Sequence, residues 1–394
     1  MERKLRFGMV GGGNGGNIGN SHRRGAAMDN MAVLSAGCFT RNWERNVEDG
    51  TFWGVPEDRI YSNYQEMAEK ESQREDGIDF VSIVTPNHTH YSVAKCFLEH
   101  GIHVICEKPF TLSIEQAEEL KRIAAEHDAE VGVTYTYAHY PVLRECRHLI
   151  QTGAIGKIID VVALYPQDWL LLSLNSDKES YADWIVDPTF SGNSNATAAT
   201  GVHLYYLIHS MTGLNLDAVL ADFGYYPENA PLECISRVLM RFDNGSHGMS
   251  WTSSVASGHD CTVDLKIYGE KGAIEWSHND PLHLRVAPVG QPVQIMCANR
   301  DYLCEESRAI SRIAAGHPEG FYEAFANIYH EFCRHLLDKK NGTCHDSRDY
   351  FYPHLQDGID GVRYVQACVE SQKRGNVWVC LKDASDEASR IAHT

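Results

Sequence analysis

The chain has 394 residues, 43% hydrophobic and 22% charged, and chains of this length bury roughly 75% of their unfolded surface and divide into domains. Thirty-five Lys and Arg stand against 53 Asp and Glu, a formal charge of −18. So acidic a chain has no bulk attraction for phosphate backbones or anionic lipid, which argues against nucleic acid and membrane surfaces as partners.

Residues 5–10 read as a strand, followed by a glycine-rich turn and a helix to about residue 30. A second strand spans 32–40, and a polar stretch with Trp53, Pro56 and Glu57 leads into a helix over 63–71. Strands at 80–84, 103–106 and 130–135 alternate with helices at 91–100 and 113–127. That alternation predicts βαβ units, hence a doubly wound parallel sheet over residues 1–137.

Beyond Tyr137 the pattern changes. Strand-like runs at 157–165, 217–226, 233–242, 245–254 and 261–269 follow one another through turns such as Asp243-Asn244-Gly245. Helices return at 200–211, 319–337 and 355–373. Residues 138–394 therefore read as an α+β domain with a large open, mostly antiparallel sheet.

The 12 cysteines include no C-x-x-C pair, and several, such as Cys106, lie in apolar runs. That is the distribution of reduced, buried thiols rather than of zinc knuckles or a disulfide framework. Twenty histidines offer no close metal-ligand pattern apart from His88 and His90, so no metal is expected. No secretory leader and no spanning run is legible at the N-terminus, and a cytoplasmic protein is the expectation.

The segment Met9-Val-Gly-Gly-Gly-Asn-Gly-Gly-Asn-Ile-Gly19 follows a strand and opens a helix. Gly11, Gly13 and Gly16 satisfy G-x-G-x-x-G, where glycine permits positive φ and lets a pyrophosphate reach the helix amides. The pattern assigns Gly11, Gly13, Asn14, Gly16, Asn17 and Ile18 to a dinucleotide. About 20 residues on, where an NAD site places an acid on the ribose, the chain has Thr40 and Arg41. Those two residues leave NADP open, although Arg41 reads equally well as a solvated loop residue.

A lysine at the carboxyl end of a parallel strand stands at the crevice where such sheets bind ligands, and Lys108 is so placed, followed by Pro109. The glycine turn, Thr85-Pro86-Asn87-His88 and Glu107-Lys108-Pro109 together resemble the Gfo/Idh/MocA family of nicotinamide-dependent oxidoreductases of sugars, inositols and glycosides. The resemblance continues through Tyr165-Pro-Gln-Asp-Trp-Leu170, Gly201-Val-His203, Gly316-His-Pro-Glu-Gly320, Tyr329 and Asp357-Gly-Ile-Asp-Gly361. It implies a Rossmann domain and a cofactor set that adds Thr85, Pro86, Asn87, His90, Glu107 and Lys108, with NAD favoured.

The same resemblance makes Lys108 the acid/base at the substrate hydroxyl and His203 its assistant. The family aspartate four residues before that histidine is Ala199 here, a departure that leaves a catalytically silent protein as an alternative. A carboxylate borrowed from Asp183 or Asp187 is a second alternative. Gly19, three residues before His22, competes with Gly16 for the place of the third family glycine. Tyr137, Tyr165, Trp169, Trp184, His203, His317 and Glu319 lie in family segments suited to sugar contacts. Ile185 stands where relatives often carry arginine. His209 reads as structural. The expected partners are a small-molecule sugar or glycoside and, through the open sheet, further copies of the chain; an inositol or redox-neutral glycoside cleavage are the rival chemistries.

Overall fold

The computed structural model describes residues 4–15, 17–175, 185–344 and 346–381, Asn17 by its backbone alone. The chain divides into two compact units, Met1–Thr136 with Phe321–Ile359, and Tyr137–Gly320 with Asp360–Thr394.

The first unit is a five-stranded parallel sheet of β1 (Leu5–Gly11), β2 (Ala32–Cys38), β3 (Phe80–Val84), β4 (His103–Cys106) and β5 (Val131–Val133), in the order β2-β1-β3-β4-β5. β3 is buried at every residue, as expected of a parallel strand covered on both faces. β2 stops short of the expected 32–40 because the Asn46 side chain takes the amides of Phe39 (2.7 Å) and Thr40 (3.4 Å) out of the ladder. Asn63 and Ser113 cap the helices Tyr64–Ser72 and Ile114–Glu126 by accepting the amides of Glu66 and Gln116.

A helix at Trp43–Phe52, absent from the sequence reading, begins at Asn42, whose side chain accepts the Arg45 amide. Its buried residues are Asn46, Asp49 and Gly50, so it carries no apolar stripe to betray it. The helix Phe321–Asn341, far along the chain, belongs to this unit and delivers Phe325, Tyr329 and Phe332 into the sheet core. There Phe80 stacks on Phe7 (5.4 Å) and meets Phe332 edge-on (5.5 Å).

The second unit holds a nine-stranded sheet. Its strands are β6 (Ile158–Pro166), β7 (Leu216–Gly224), β8 (Ile235–Phe242), β9 (His247–Ser253), β10 (Asp264–Gly269), β11 (Gly272–Ser277), β12 (His283–Pro288), β13 (Gln294–Cys297) and β14 (Val379–Cys380). Their order is β13-β12-β11-β10-β6-β9-β8-β7-β14, antiparallel throughout except for β6 against β9. β8 alternates buried Ser236, Val238, Met240 and Phe242 with exposed Arg237, Leu239 and Arg241, so one face packs and the other is open. The helix Val202–Thr212 packs on β6, and Pro141–Gln151 on β12. All 12 cysteines are free thiols. Among the described residues no helix is long and apolar enough to cross a membrane.

Candidate active site

In the first unit, β1 runs into a turn where Gly11 (φ +78°), Gly12 (φ +69°) and Gly15 (φ +116°) all occupy the left-handed region. The helix Asn17–Met28 follows, with no acid in its first turn. A Cβ on Gly19 would stand 1.9 Å from the Gly12 carbonyl oxygen, and one on Gly11 would stand 2.4 Å from that of Val84. Gly19 therefore supplies the close helix–turn approach that the third glycine of the motif provides; Gly16 and the Asn17 side chain lie outside the described residues.

Asp49, which sequence reasoning passed over, is buried beside the turn: its Oδ2 lies 2.3 Å from where a Gly13 Cβ would be. Burial pushes its carboxyl up, while the Asn14 backbone and Arg45 draw it down. Arg45 also donates to the Asn14 carbonyl (3.2 Å). At the end of β2, Thr40 is half-buried and Arg41 exposed, near enough to His88 to lower its affinity for a proton after burial has done so.

The turns after β3 and β4 are tied together by His90, a fully buried ring. Its Nδ1 lies 2.8 Å from the Pro109 carbonyl oxygen and its Nε2 2.9 Å from that of Thr85. Burial pushes this ring down against the pull of the two carbonyls. The Lys108–Pro109 peptide is cis. Glu107 is buried behind Lys108, where Oε1 accepts from Thr134 Oγ1 (2.6 Å) and His22 Nε2 (2.9 Å). Burial raises the Glu107 carboxyl, but His22, Lys108 and Thr134 outweigh it and hold the group down at about 2. His22 Nδ1 in turn meets Tyr329 Oη at 2.6 Å. His22 entered the sequence reading only as a landmark; a polar residue in mid-helix on a buried face was the available signal.

In the second unit, Tyr137, Tyr165 and His203 come together. The two hydroxyls are 2.6 Å apart and lie 3.2 Å and 3.3 Å from Cys261 Sγ, while the Tyr137 ring meets His203 edge-on at 5.1 Å. Burial pushes both phenols well up. Cys261, and His278 edge-on to Tyr137 at 5.3 Å, were not foreseen. Trp169 opens the short helix Trp169–Leu174, half-buried. His317 is exposed, near the Ala314 carbonyl. Glu319 is engaged by the amides of Arg312 and Ile313, which makes it a loop anchor. Trp184 and Asp183 lie outside the described residues. His209 holds the Leu214 carbonyl at its helix end (2.9 Å).

Ala199 sits in one π-helical turn, Thr197–Gly201, that runs into the helix carrying His203. Buried Glu233 anchors that turn: it accepts from Ser194 Oγ (2.6 Å), the Asn195 amide (3.1 Å) and the Thr197 amide and hydroxyl (3.0 Å each). Asp187 caps its own short helix at the Thr189 amide. Among the described residues, His148, Cys304 and Glu306 bring three ligand atoms within 4.8 Å of one another. Cys304 stands at the N-cap of the helix Glu305–Ala309 without a side-chain capping bond, and burial pushes its thiol up to about 12.

A glycine turn between the first strand of a parallel sheet and a helix N-terminus, with a lysine at the same edge, defines a dinucleotide-binding oxidoreductase domain. Residues 5–135 match the oxidoreductase family with an NAD-binding Rossmann fold, Gfo/Idh/MocA, and residues 143–275 match the C-terminal domain of that family. The chain belongs to the Gfo/Idh/MocA family.

It is 37% identical over 386 residues to the uncharacterised oxidoreductase YfiI of Bacillus subtilis (strain 168), covering 97% of this chain and 98% of that one. An inositol dehydrogenase homologue from Azotobacter vinelandii, solved with NAD+, superposes with a TM-score of 0.92 at 34% identity, over 96% of this chain and 98% of that one. The same homologue was also solved with NADH and myo-inositol, with a TM-score of 0.90. Levoglucosan dehydrogenase of Pseudarthrobacter phenanthrenivorans is 26% identical over 232 residues, 53% of this chain and 58% of that one.

The residues present fit NAD. Gly11 and Gly12 pack so closely on Val84, Thr85 and Met9 that only bare backbone fits there, and the following helix has no acid in its first turn, where a pyrophosphate would meet the amides. Gly11, Gly12, Gly13 and Asn14, with the Thr85–Asn87 and Glu107–Lys108 turns, are the residues that would hold NAD.

Proposed function

We propose that this oxidoreductase converts a ring hydroxyl of a sugar or glycoside to a ketone, with NAD as partner. The observation that carries the reading is the Glu107-Lys108-Pro109 turn: it ends β4 at the same edge of the parallel sheet where β1 enters the glycine turn. Ligands of open α/β sheets bind outside the carboxyl ends of the strands.

Bound there, the nicotinamide supplies a hydride acceptor. The hydroxyl that loses hydride from its carbon must also lose a proton from its oxygen, and the Lys108 amine is the proposed acceptor. His203 is its proposed assistant, and Tyr137 and Tyr165, held against it, are the proposed substrate contacts, with Trp169, Trp184 and His317 as further candidates. Ala199 stands where the family carboxylate would, which leaves Glu107, the preceding residue, as the anion that acts on Lys108. A cyclitol is the second reading, favoured by the homologue solved with NADH and myo-inositol. The open sheet face, with Ile159, Leu239 and Met249 exposed, is the proposed contact between copies of the chain.

The test is incubation with NAD and a panel of sugars, glucosides and inositols, followed at the reduced-nicotinamide band. Saturable reduction by one class is expected, with Lys108→Met lowering kcat by about 10²–10⁴ while NADH still binds. No turnover with any member of the panel, or full turnover by Lys108→Met, overturns the reading.

A further inference from the structure

The chain of side chains behind Glu107 has no part in the reading above. His22, fully buried, lies between Tyr329 and Glu107; Tyr329 Oη continues to Ser82 Oγ at 2.8 Å, and Thr134 closes the other end on Glu107. The groups come from the Asn17–Met28 helix, β3, the ends of β4 and β5, and the Phe321–Asn341 helix. A network spanning that many elements is more than a packing accident of one helix.

The proton arrangement is determined from the carboxylate outward. An ionised Glu107 can only accept, so His22 Nε2 and the Thr134 hydroxyl both donate to it. Where the His22 ring carries a single proton, Nδ1 accepts from the Tyr329 hydroxyl and Ser82 donates to Tyr329. Every group is used in this one arrangement. Taking away the imidazole leaves the buried carboxylate the Thr134 hydroxyl and the Lys108 amide (3.3 Å) as described donors, and burial then favours its neutral acid.

We propose that His22 is a positioning residue of this oxidoreductase: it holds Glu107 as a carboxylate beside Lys108 and so sets the charge against which Lys108 exchanges its proton. The proposal rests on the role given to Lys108 above. The charged and titratable groups that act on Glu107 are His22 and Lys108, with Cys106, His90 and Tyr329 feeling its charge. Lys108 is the one of these assigned to the reaction. Neutralising Glu107 withdraws a negative charge from Lys108, so the amine form persists to lower pH.

The experiment compares His22→Leu with His22→Gln, whose amide can donate to Glu107 and accept from Tyr329. In His22→Leu the acidic limb of kcat/KM for polyol oxidation is expected to move to lower pH by about one unit, and His22→Gln is expected to restore it. Infrared spectra of the cofactor-free protein read Glu107 without any turnover. A protonated-carboxyl band should appear near neutral pH in His22→Leu, be absent from the wild type and His22→Gln, and vanish in His22→Leu/Glu107→Gln. Should His22→Leu fail to fold, Tyr329→Phe removes only the hydroxyl at Nδ1 and should move both readouts the same way, less far. A folded His22→Leu with no band and an unmoved limb overturns the proposal. A band without any polyol turnover would instead uphold the His22–Glu107 linkage and sink the dehydrogenase reading on which its kinetic consequence depends.

Discussion

Gly19 approaches Gly12 so closely that a methyl group on its Cα would stand 1.9 Å from the Gly12 carbonyl oxygen and 2.7 Å from its Cα. Both of those atoms are backbone, so nothing flexible can move aside. Gly19→Ala must displace either the helix start or the turn, and overpacking of this kind costs about 1–3 kcal/mol. The displaced atoms are the ones proposed to carry the pyrophosphate. NADH affinity should fall at least about tenfold, each tenfold being about 1.4 kcal/mol. Fluorescence titration with NADH checks this, and unchanged affinity would place the cofactor elsewhere.

The parallel sheet was legible because its strands are short apolar runs set off by glycine, proline and capping residues. β3, β4 and the helix bounded by Ser113 and His127 fall where the sequence puts them. The Trp43–Phe52 helix was not legible, since what it buries is polar: Asn46 and Asp49 serve the β2 terminus and the glycine turn instead of an apolar core. The site divides the same way. Lys108, Gly11 and Gly13 are marked by local motifs, whereas His22 joins Glu107 across 85 positions and Glu233 joins Thr197 across 36. No local period records such a pairing, because it exists only once the strands are side by side.

Arg41 tests the choice of cofactor. The end of β2 presents half-buried Thr40 and exposed Arg41, with no acid to bind a ribose hydroxyl or to repel a 2′-phosphate. Arg41→Glu supplies the repulsion at an exposed position outside the core. NADPH affinity should drop about tenfold or more while NADH affinity holds, a difference of about 1.4 kcal/mol between the two ligands. Paired titrations with NADH and NADPH measure it, and equal losses for both would assign Arg41 a role common to the two cofactors.

Glu233 is the carboxylate on which the π-helical turn before His203 depends. Its four donors include two backbone amides that cannot reverse, so the amide of Glu233→Gln can satisfy some but not all of them. A buried donor left without a partner costs about 1–3 kcal/mol. The thermal midpoint should fall by a few degrees, and polyol turnover should drop through the misplaced helix start. NADH binding, a property of the first unit, should be unaffected. A stable Glu233→Gln with full turnover would show that the turn holds itself.

Glu107 gives the first unit a definite pH signature. Its folded carboxyl lies at about 2 against an ordinary 4.5: burial opposes ionisation, but the His22 ring, Lys108 and the Thr134 hydroxyl prevail. A group depressed in the folded state stabilises the fold above its unfolded value, and that contribution fades as pH falls towards the folded one. Glu107→Gln keeps the shape but cannot ionise. Wild type should therefore melt at a higher temperature than Glu107→Gln above about pH 5, and the two curves should converge as the solution is acidified towards about 2. Scanning calorimetry of both proteins over that range makes the comparison. A gap that stays constant down to the acid end would mean that the carboxylate contributes through its shape alone, and that the imidazole of His22 holds no charge in place.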